Sequence, residues 1–208
     1  MNITKFIVLP VLAALTATFT AAAASPADEL LDKVVEWTSA KKTIEVDYTI
    51  GAADSKAEGT IAIDGERFRV MSDIVDAWYD GTTQWAYSPE TGEVNITEPT
   101  DEELQQINPF VIINAFRRNY TVALKPAEAD EKHQVVLFTP KDLSADITRV
   151  ELSVPKGYYY PARIVVWTAS GETIVIYTKR FIRGKRFADA DFQYASSIHP
   201  EAEIVDLR

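Results

Sequence analysis

Few residues in this 208-residue chain could do covalent chemistry. The sequence contains no cysteine, which excludes disulfides, a thiol nucleophile and a cysteine metal site. Its two histidines, His133 and His199, lie far apart along the chain, and we expect both at the surface. Asp76 has no partner carboxylate at a spacing that would support acid-base catalysis. Because no Ser-His-Asp order, metal cluster or phosphate-binding loop is recognisable, we predict a non-enzymatic protein without metal or cofactor.

The chain does contain an unusual group of large rings in DAWYDGTTQWAYSPETGEV, residues 76–94. The Asp-Gly pair at 80–81 is a strong hairpin signal, so two short strands are expected to meet there. A loop of two or of four residues places Trp78, Trp85 and Tyr87 on the same face. Rings of this size near a turn indicate either a hydrophobic ligand site or plain core.

Composition and the N-terminus limit the class of protein. The formal net charge of −10 argues against a nucleic-acid binder, because such proteins present basic patches to phosphates. Lys5, the apolar run after it and the alanine triplet at 22–24 are typical of a secretory signal peptide over residues 1–24. We expect cleavage near Ala24 and a single exported domain over residues 25–208. The alternative is an uncleaved membrane anchor, since the apolar run approaches spanning length.

Hydrophobic periodicity predicts one helix followed by a long run of strands. Residues 27–42 have helical spacing with one apolar stripe. From residue 44 onward, apolar and polar side chains alternate, which is typical of strands with one buried face. We expect about ten or eleven strands in all. The apolar positions of the helix and the first strands include Leu31, Trp37, Tyr48, Ile63 and Phe68.

Residues 100–120 interrupt the strands with two predicted helical pieces. Pro109 suits the first turn of the second piece, since its fixed backbone and missing N–H fit that position. This piece is apolar nearly all round, which is more than a single buried face needs. We expect Phe110, Ile113 and Phe116 to cover apolar sheet surface as a lid.

The order of these elements predicts the architecture. Many sequential strands with few interleaved helices form an antiparallel meander, and a sheet of this length must curl. We therefore predict a mainly β, α+β fold, in which the N-terminal helix and the mid-chain helical pair lie over the hollow side of a curved sheet. The rings of residues 76–94 would then line that hollow side or belong to an ordinary core.

Several stretches spread over most of the mature chain follow the predicted N-terminal helix in a defined order. They are GTIAIDGERFRV (59–70), DGTTQWAYSP (80–89), NPF (108–110), FADADFQY (187–194) and AEIVDLR (202–208). In this order they resemble the LolA family, the periplasmic carriers of outer-membrane lipoproteins. The most specific element of the resemblance is the D-G-x-x-x-W-x-Y pattern.

The resemblance implies an unclosed antiparallel β-barrel with a helical lid that encloses the acyl chains of a lipoprotein or lipid. It also implies a monomeric periplasmic chaperone that receives lipoproteins from an inner-membrane lipoprotein-releasing transporter and passes them to an outer-membrane acceptor. The residues expected to line the cavity and lid are Leu31, Trp37, Tyr48, Ile63, Phe68, Trp78, Trp85, Tyr87, Phe110, Ile113 and Phe116. The alternative is an envelope sensor or regulatory protein that binds lipid or lipoprotein on the same scaffold.

One feature of the family is not matched in this sequence. Family members commonly carry an Arg-Pro pair after the second strand, and its arginine helps to latch the lid. The matching place here is Asp64-Gly65-Glu66, followed by Arg67. Arg67 is the candidate substitute for the latch. Otherwise the chain is a paralogue with another cargo.

Overall fold

A computed structural model describes residues 24–38, 43–52, 55–100 and 119–208. The predicted signal peptide before Ala24 and the predicted lid residues Phe110, Ile113 and Phe116 lie outside these ranges. Within the described ranges, no helix has the length and the apolar character that crossing a membrane requires.

The described chain forms one α-helix and twelve β-strands, which confirms the mainly β prediction. Helix α1 is Pro26–Thr38, and the strands are β1 (Ile44–Ala52), β2 (Ser55–Asp64), β3 (Arg67–Ser72), β4 (Asp76–Tyr79), β5 (Gln84–Ser88), β6 (Glu93–Thr97), β7 (Tyr120–Leu124), β8 (His133–Pro140), β9 (Ile147–Pro155), β10 (Arg163–Thr168), β11 (Thr173–Arg183) and β12 (Glu203–Asp206). Two short 3-10 turns are Pro126–Glu128 and Asp189–Phe192. Strand β12 was not expected, since its four residues carry only a weak alternating pattern.

Helix α1 begins with a reciprocal cap. The Ser25 Oγ accepts the backbone N–H of Asp28 at 3.2 Å, while the backbone N–H of Ser25 donates to the Asp28 carboxylate at 3.3 Å. Pro26 follows the cap, at the position where a missing N–H costs nothing. The buried stripe of the helix includes Leu31 and Val34, as helical spacing requires.

All strands belong to one open sheet. Its order is β12-β6-β5-β4-β3-β2-β1-β11-β10-β9-β8-β7, so β12 and β7 form the two edges. Neighbouring strands are antiparallel except for β12, which runs parallel to β6. The predicted unclosed, curved sheet is therefore confirmed.

The pairing register assigns side chains to two faces of this sheet. One continuous row of paired residues crosses seven strands: Ala57, Ile50, Ile176, Ile164, Leu152, Val136 and Leu124. Because paired residues share a face, the whole row points to one side. Helix α1 packs on this side against Val136 and Leu152. We call it the helix face and the other side the opposite face.

Two apolar clusters cover the helix face. The first cluster joins α1 to β8 and β9 and consists of Ala27, Leu30, Leu31, Val34, Val136, Phe138, Val150, Leu152 and Val154. The second cluster lies on β1 to β4 and consists of Ile44, Val46, Ile61, Ile63, Phe68, Val70, Ala77 and Tyr79. No residue of α1 belongs to the second cluster, so this helix covers only part of the helix face.

Ion pairs occupy the opposite face of the central strands. A register shift between Asp47 and Tyr48 leaves Lys179 as an extra residue in β11. As a result, Lys179 and Arg180 both reach carboxylates on the opposite face: Lys179 bonds to Glu58 at 2.6 Å and Arg180 to Asp47 at 2.7 Å. The hydrogen bond from Arg180 lowers the pKa of Asp47. The opposite face of the central strands is therefore polar, whereas the helix face of the same strands carries the apolar row.

The ring of Tyr48 lies directly over Gly59. A Cβ atom at Gly59 would lie 2.6 Å from the Tyr48 hydroxyl and 2.9 Å from the Ser72 Cβ. We expect Gly59→Ala to displace the ring and to lower the free energy of unfolding by about 1–3 kcal/mol, the usual cost of overpacking. Urea denaturation measures this loss. Gly51→Ala is the matched control, because its Cβ would make an ordinary contact with the Ser55 carbonyl at 3.4 Å. Equal losses in the two variants would contradict the packing argument.

Candidate functional site

An aromatic group lies on the helix face where the two apolar clusters meet. It consists of Trp37, Tyr159, Tyr160, Phe181 and Arg183, which we call the aromatic seam. Trp37 comes from the last turn of α1, the two tyrosines from the loop between β9 and β10, and the other two from the end of β11. Three elements distant in sequence therefore build the seam.

The rings of the seam contact one another in pairs. Trp37 and Tyr159 meet edge to face, with ring centroids 5.9 Å apart. Tyr160 stacks on Phe181 at 5.1 Å with planes 18° apart. Tyr159 also packs against the first cluster and Phe181 against the second. The seam thus joins the two clusters through flat, partly exposed rings rather than through interlocked aliphatic side chains.

The seam contains one cation at its edge with α1. Arg183 pairs with Ile44 in the sheet and so points to the helix face, where its guanidinium carbon lies 4.0 Å from the centre of the Trp37 ring. Among the described residues, no group of three or more His, Cys, Asp or Glu side chains could hold a metal ion. The seam offers apolar contact and hydrogen-bond donors, which suit binding rather than covalent chemistry.

Five of the residues predicted to line a cavity do lie on the helix face. Leu31 belongs to the first cluster and is 0% exposed, while Ile63 and Phe68 belong to the second. Tyr48 packs against the second cluster, and burial raises the pKa of its hydroxyl. Trp37 belongs to the seam. The three strand residues share a face of the sheet, as the alternating pattern predicted, and the two helix residues pack against that face.

Trp78, Trp85 and Tyr87 lie on the opposite face, which corrects their predicted placement. Trp78 pairs with Arg69 and Trp85, whereas the adjacent Phe68 points to the helix face. Trp78 is only 1% exposed because the C-terminal segment covers it. Alternation had predicted correctly that these rings share a face, but it does not specify which face a helix covers.

The C-terminal segment, residues 185–208, crosses the opposite face of β3 to β5 before β12 joins β6. Tyr194 meets the Trp78 ring at 5.3 Å, and His199 stacks on Tyr87 at 3.6 Å. Trp78 and Tyr87, near the hairpin turn, therefore pack beneath this segment.

The prediction that His199 lies at the surface needs correction. His199 is not a surface residue: its Nε2 lies 2.9 Å from an Asp76 carboxylate oxygen, and only 21% of its side chain is exposed. Asp76 also accepts the backbone N–H of Ser72 at 3.0 Å. His133, by contrast, lies at the surface as expected, and its hydrogen bond lowers the pKa of Asp130 to about 2.

Arg67 lies on the opposite face, and the lid that it was predicted to latch lies outside the described residues, so the latch role stays a prediction. Its guanidinium bonds to Asp64 at 2.7 Å and to Asp189 at 2.6 Å, and it lies 4.8 Å from the centre of the Phe192 ring. Both Asp189 and Phe192 belong to the C-terminal segment. Arg67 therefore holds that segment on the sheet and does not reach the helix face.

Sequence patterns did not assign four of the seam residues to a site. The run Tyr158-Tyr159-Tyr160-Pro161 comes just before β10, and its second and third tyrosines contact rings of the seam. Phe181 and Arg183 had no distinguishing signal, because each occupies an ordinary alternating position of β11. Only the pairing of β11 with β1 places them beside α1.

Comparison with known proteins agrees with this architecture. Residues 16–169 match the family described as outer membrane lipoprotein carrier protein LolA. No curated protein matches the chain. Among solved structures, an uncharacterized conserved protein from Thermus thermophilus has a TM-score of 0.59 at 15% identity, with 88% of this chain and 99% of that chain covered.

Two further solved structures resemble the chain. MucB has a TM-score of 0.50 at 12% identity, covering 86% of this chain and 65% of that one. A LolA superfamily protein from Nitrosomonas europaea has a TM-score of 0.41 at 16% identity, covering 81% and 97%. The family match spans most of the chain, and the open sheet with its N-terminal helix agrees with it. The chain belongs to the outer membrane lipoprotein carrier protein LolA family.

Proposed function

We propose that this protein is a periplasmic carrier that binds the acyl chains of lipoproteins or lipids on its helix face. The observation that carries the proposal is the aromatic seam, a place where α1 and the sheet meet through flat rings between two apolar clusters. Membership of the LolA family supports the same function.

The seam suits an acyl chain for a physical reason. Rings that stack on one another can separate and close on an inserted aliphatic chain, which keeps their apolar faces out of water. Each buried methylene contributes about 0.8 kcal/mol, so about ten methylenes would supply roughly 8 kcal/mol before the costs of ordering. Inserting the chain between Tyr160 and Phe181 would bring it into contact with the second cluster, to which α1 contributes no residue. Binding and release then require no covalent step.

A carrier of this kind would transfer its bound ligand between membranes. We propose an inner-membrane lipoprotein-releasing transporter as the donor and an outer-membrane acceptor as the recipient, as membership of the family suggests. The same scaffold used as an envelope sensor would report bound lipid or lipoprotein to a protein partner rather than deliver it. Uptake of an acyl ligand by the isolated protein is required for the carrier function.

The test uses the purified mature protein and a fluorescent fatty acid, displaced by a synthetic acylated lipopeptide. Tyr160→Asp places a charge beside Phe181 in the seam. We expect it to weaken binding of the fatty acid by about tenfold or more, because a charge in a hydrocarbon contact must be desolvated. Circular dichroism checks that the variant is folded.

Tyr158→Asp is the matched control, because Tyr158 belongs to the same tyrosine run but is 62% exposed. We expect its affinity to stay within about twofold of the unmodified protein. If both variants bind equally well, the seam is not the site. If the unmodified protein takes up neither probe, the carrier function is rejected.

A further inference from the structure

Arg183 is a charged residue among apolar neighbours on the helix face. Its neighbour across the sheet is Ile44, which is 0% exposed. No carboxylate of the described residues forms an ion pair with Arg183, whereas the nearby Arg180 pairs with Asp47 on the opposite face. A guanidinium on an apolar surface without an anion is unusual, because unpaired charges are rarely kept near a core.

Two hydrogen-bond donors at this place also lack an acceptor. The Nε of Arg183 and the Nε1 of Trp37 are both buried, and neither has a partner in the described part of the chain. The guanidinium carbon of Arg183 lies 4.0 Å from the centre of the Trp37 ring, so the two donors belong to one small region. A buried donor without a partner costs about 1–3 kcal/mol. Folded proteins contain few such groups, and two of them together call for an acceptor supplied by a ligand.

Two cations lie over rings of the seam, although the chain is acidic overall. Lys33 lies over the Tyr159 ring, with its Nζ 5.6 Å from the ring centre. Together with Arg183 it brings two cations to one end of the seam, in a chain whose formal net charge is −10. Lys33 is exposed, so it adds long-range attraction for an anion rather than a buried contact.

We propose that Arg183 and Trp37 bind the anionic head group of an acyl ligand, a carboxylate or a phosphate, while its chain enters the seam beside Tyr160 and Phe181. The proposal rests on the acyl-carrier function proposed above and adds head-group recognition to it. A guanidinium binds carboxylate and phosphate through strong, charge-assisted hydrogen bonds, and the indole N–H supplies one more donor. The head group would satisfy both orphan donors at once.

The test compares ligands with the same twelve-carbon chain and different head groups: laurate, dodecyl phosphate and the neutral dodecanol. We expect the unmodified protein to bind laurate and dodecyl phosphate at least about tenfold more tightly than dodecanol, the discrimination typical of one charge-assisted contact. Inorganic phosphate alone should bind far more weakly than dodecyl phosphate. Isothermal titration calorimetry measures all four affinities.

Arg183→Gln should remove this discrimination, because the affinities for laurate and dodecyl phosphate would fall to that for dodecanol. Trp37→Phe, which keeps a ring but loses the donor, should reduce it by about threefold. Arg186→Gln is the matched control, because Arg186 is an exposed arginine three residues away. It should keep the full discrimination.

Four outcomes would overturn the proposal or its basis in different ways. Equal binding of the three chain ligands by the unmodified protein rejects head-group recognition but keeps the carrier function. The same conclusion follows if Arg183→Gln weakens all three equally, since Arg183 would then serve only packing on Trp37. Inorganic phosphate binding as tightly as dodecyl phosphate would indicate a free-anion site instead. Failure to bind any chain ligand rejects the proposed function itself.

Discussion

Replacing Trp78 with alanine is expected to lower the free energy of unfolding by about 3–5 kcal/mol, the usual cost of emptying a large buried aromatic site. Trp78 is 1% exposed and lies between the sheet and the C-terminal segment, where it contacts the rings of Tyr194 and His199. The loss would also weaken the attachment of that segment. Urea denaturation monitored by circular dichroism measures the change.

Trp85→Ala is the matched comparison, because Trp85 pairs directly with Trp78 and is only half-buried. We expect a smaller loss, about 1–2 kcal/mol, since less apolar area leaves water on folding. Below the unfolding transition, both variants should bind the fluorescent fatty acid like the unmodified protein, because both rings point away from the helix face. Lost binding with unchanged stability would instead assign Trp78 to the ligand site.

Glu151→Gln is expected to lower the free energy of unfolding by about 2 kcal/mol at neutral pH. The Glu151 carboxylate is buried in β9, accepts a hydrogen bond from Arg149 and lies 3.1 Å from the Lys125 ammonium. Removing one partner of a fully buried pair costs about 3–5 kcal/mol, and the value is reduced here because both cations remain partly solvated.

The stability lost in Glu151→Gln is expected to depend on pH. Burial by itself would raise the pKa of Glu151, but the hydrogen bonds from Arg149 and Lys125 outweigh it, and the pKa is lowered from its usual 4.5. A carboxylate with a lowered pKa stabilises the fold above the pKa of its unfolded form, and this contribution is lost as the pH falls through the folded value. The stability difference between the two proteins should therefore be constant above about pH 5 and shrink below about pH 4.5.

Urea denaturation at several pH values between about 7 and 3 measures this difference. Glu90→Gln is the control, since Glu90 is an exposed residue of the turn between β5 and β6. We expect it to change stability by less than about 0.5 kcal/mol at every pH. A difference for Glu151→Gln that does not vary with pH would mean that packing, and not the charge, accounts for its effect.

Local patterns in the sequence determined the helix and the strands, and which side chains of each share a face. The apolar stripe of residues 27–42 predicted a helix, and α1 is found over Pro26–Thr38, the end of the described segment. The alternation after residue 44 predicted strands, and the Asp-Gly pair at 80–81 predicted the turn between β4 and β5. These predictions succeed because the periods of the helix and the strand depend on the backbone alone.

The shared face of Trp78, Trp85 and Tyr87 was predictable for the same reason, but its cover was not. The segment that covers each face of a strand is often far away in the sequence. In this chain the C-terminal segment returns to an early hairpin, as the contact between His199 and Asp76 demonstrates across a separation of 123 residues. Both sides of the hairpin are covered, so burial alone could not distinguish them.

The aromatic seam, like the cover of Trp78, could not be predicted from local sequence patterns. Trp37 was recognised as apolar, yet the residues that complete its surroundings come from the β9–β10 loop and from β11. Arg183 has the alternating position of any strand residue, and only the pairing of β11 with β1 brings it to the ring of Trp37. Sequence by itself determined that this chain is a mainly β protein with an N-terminal helix and an alternating, half-apolar strand pattern. Tertiary structure decided which rings meet the helix and where two unpaired donors lie together, because long-range strand pairing is set by the packing of the whole sheet and not by any local pattern.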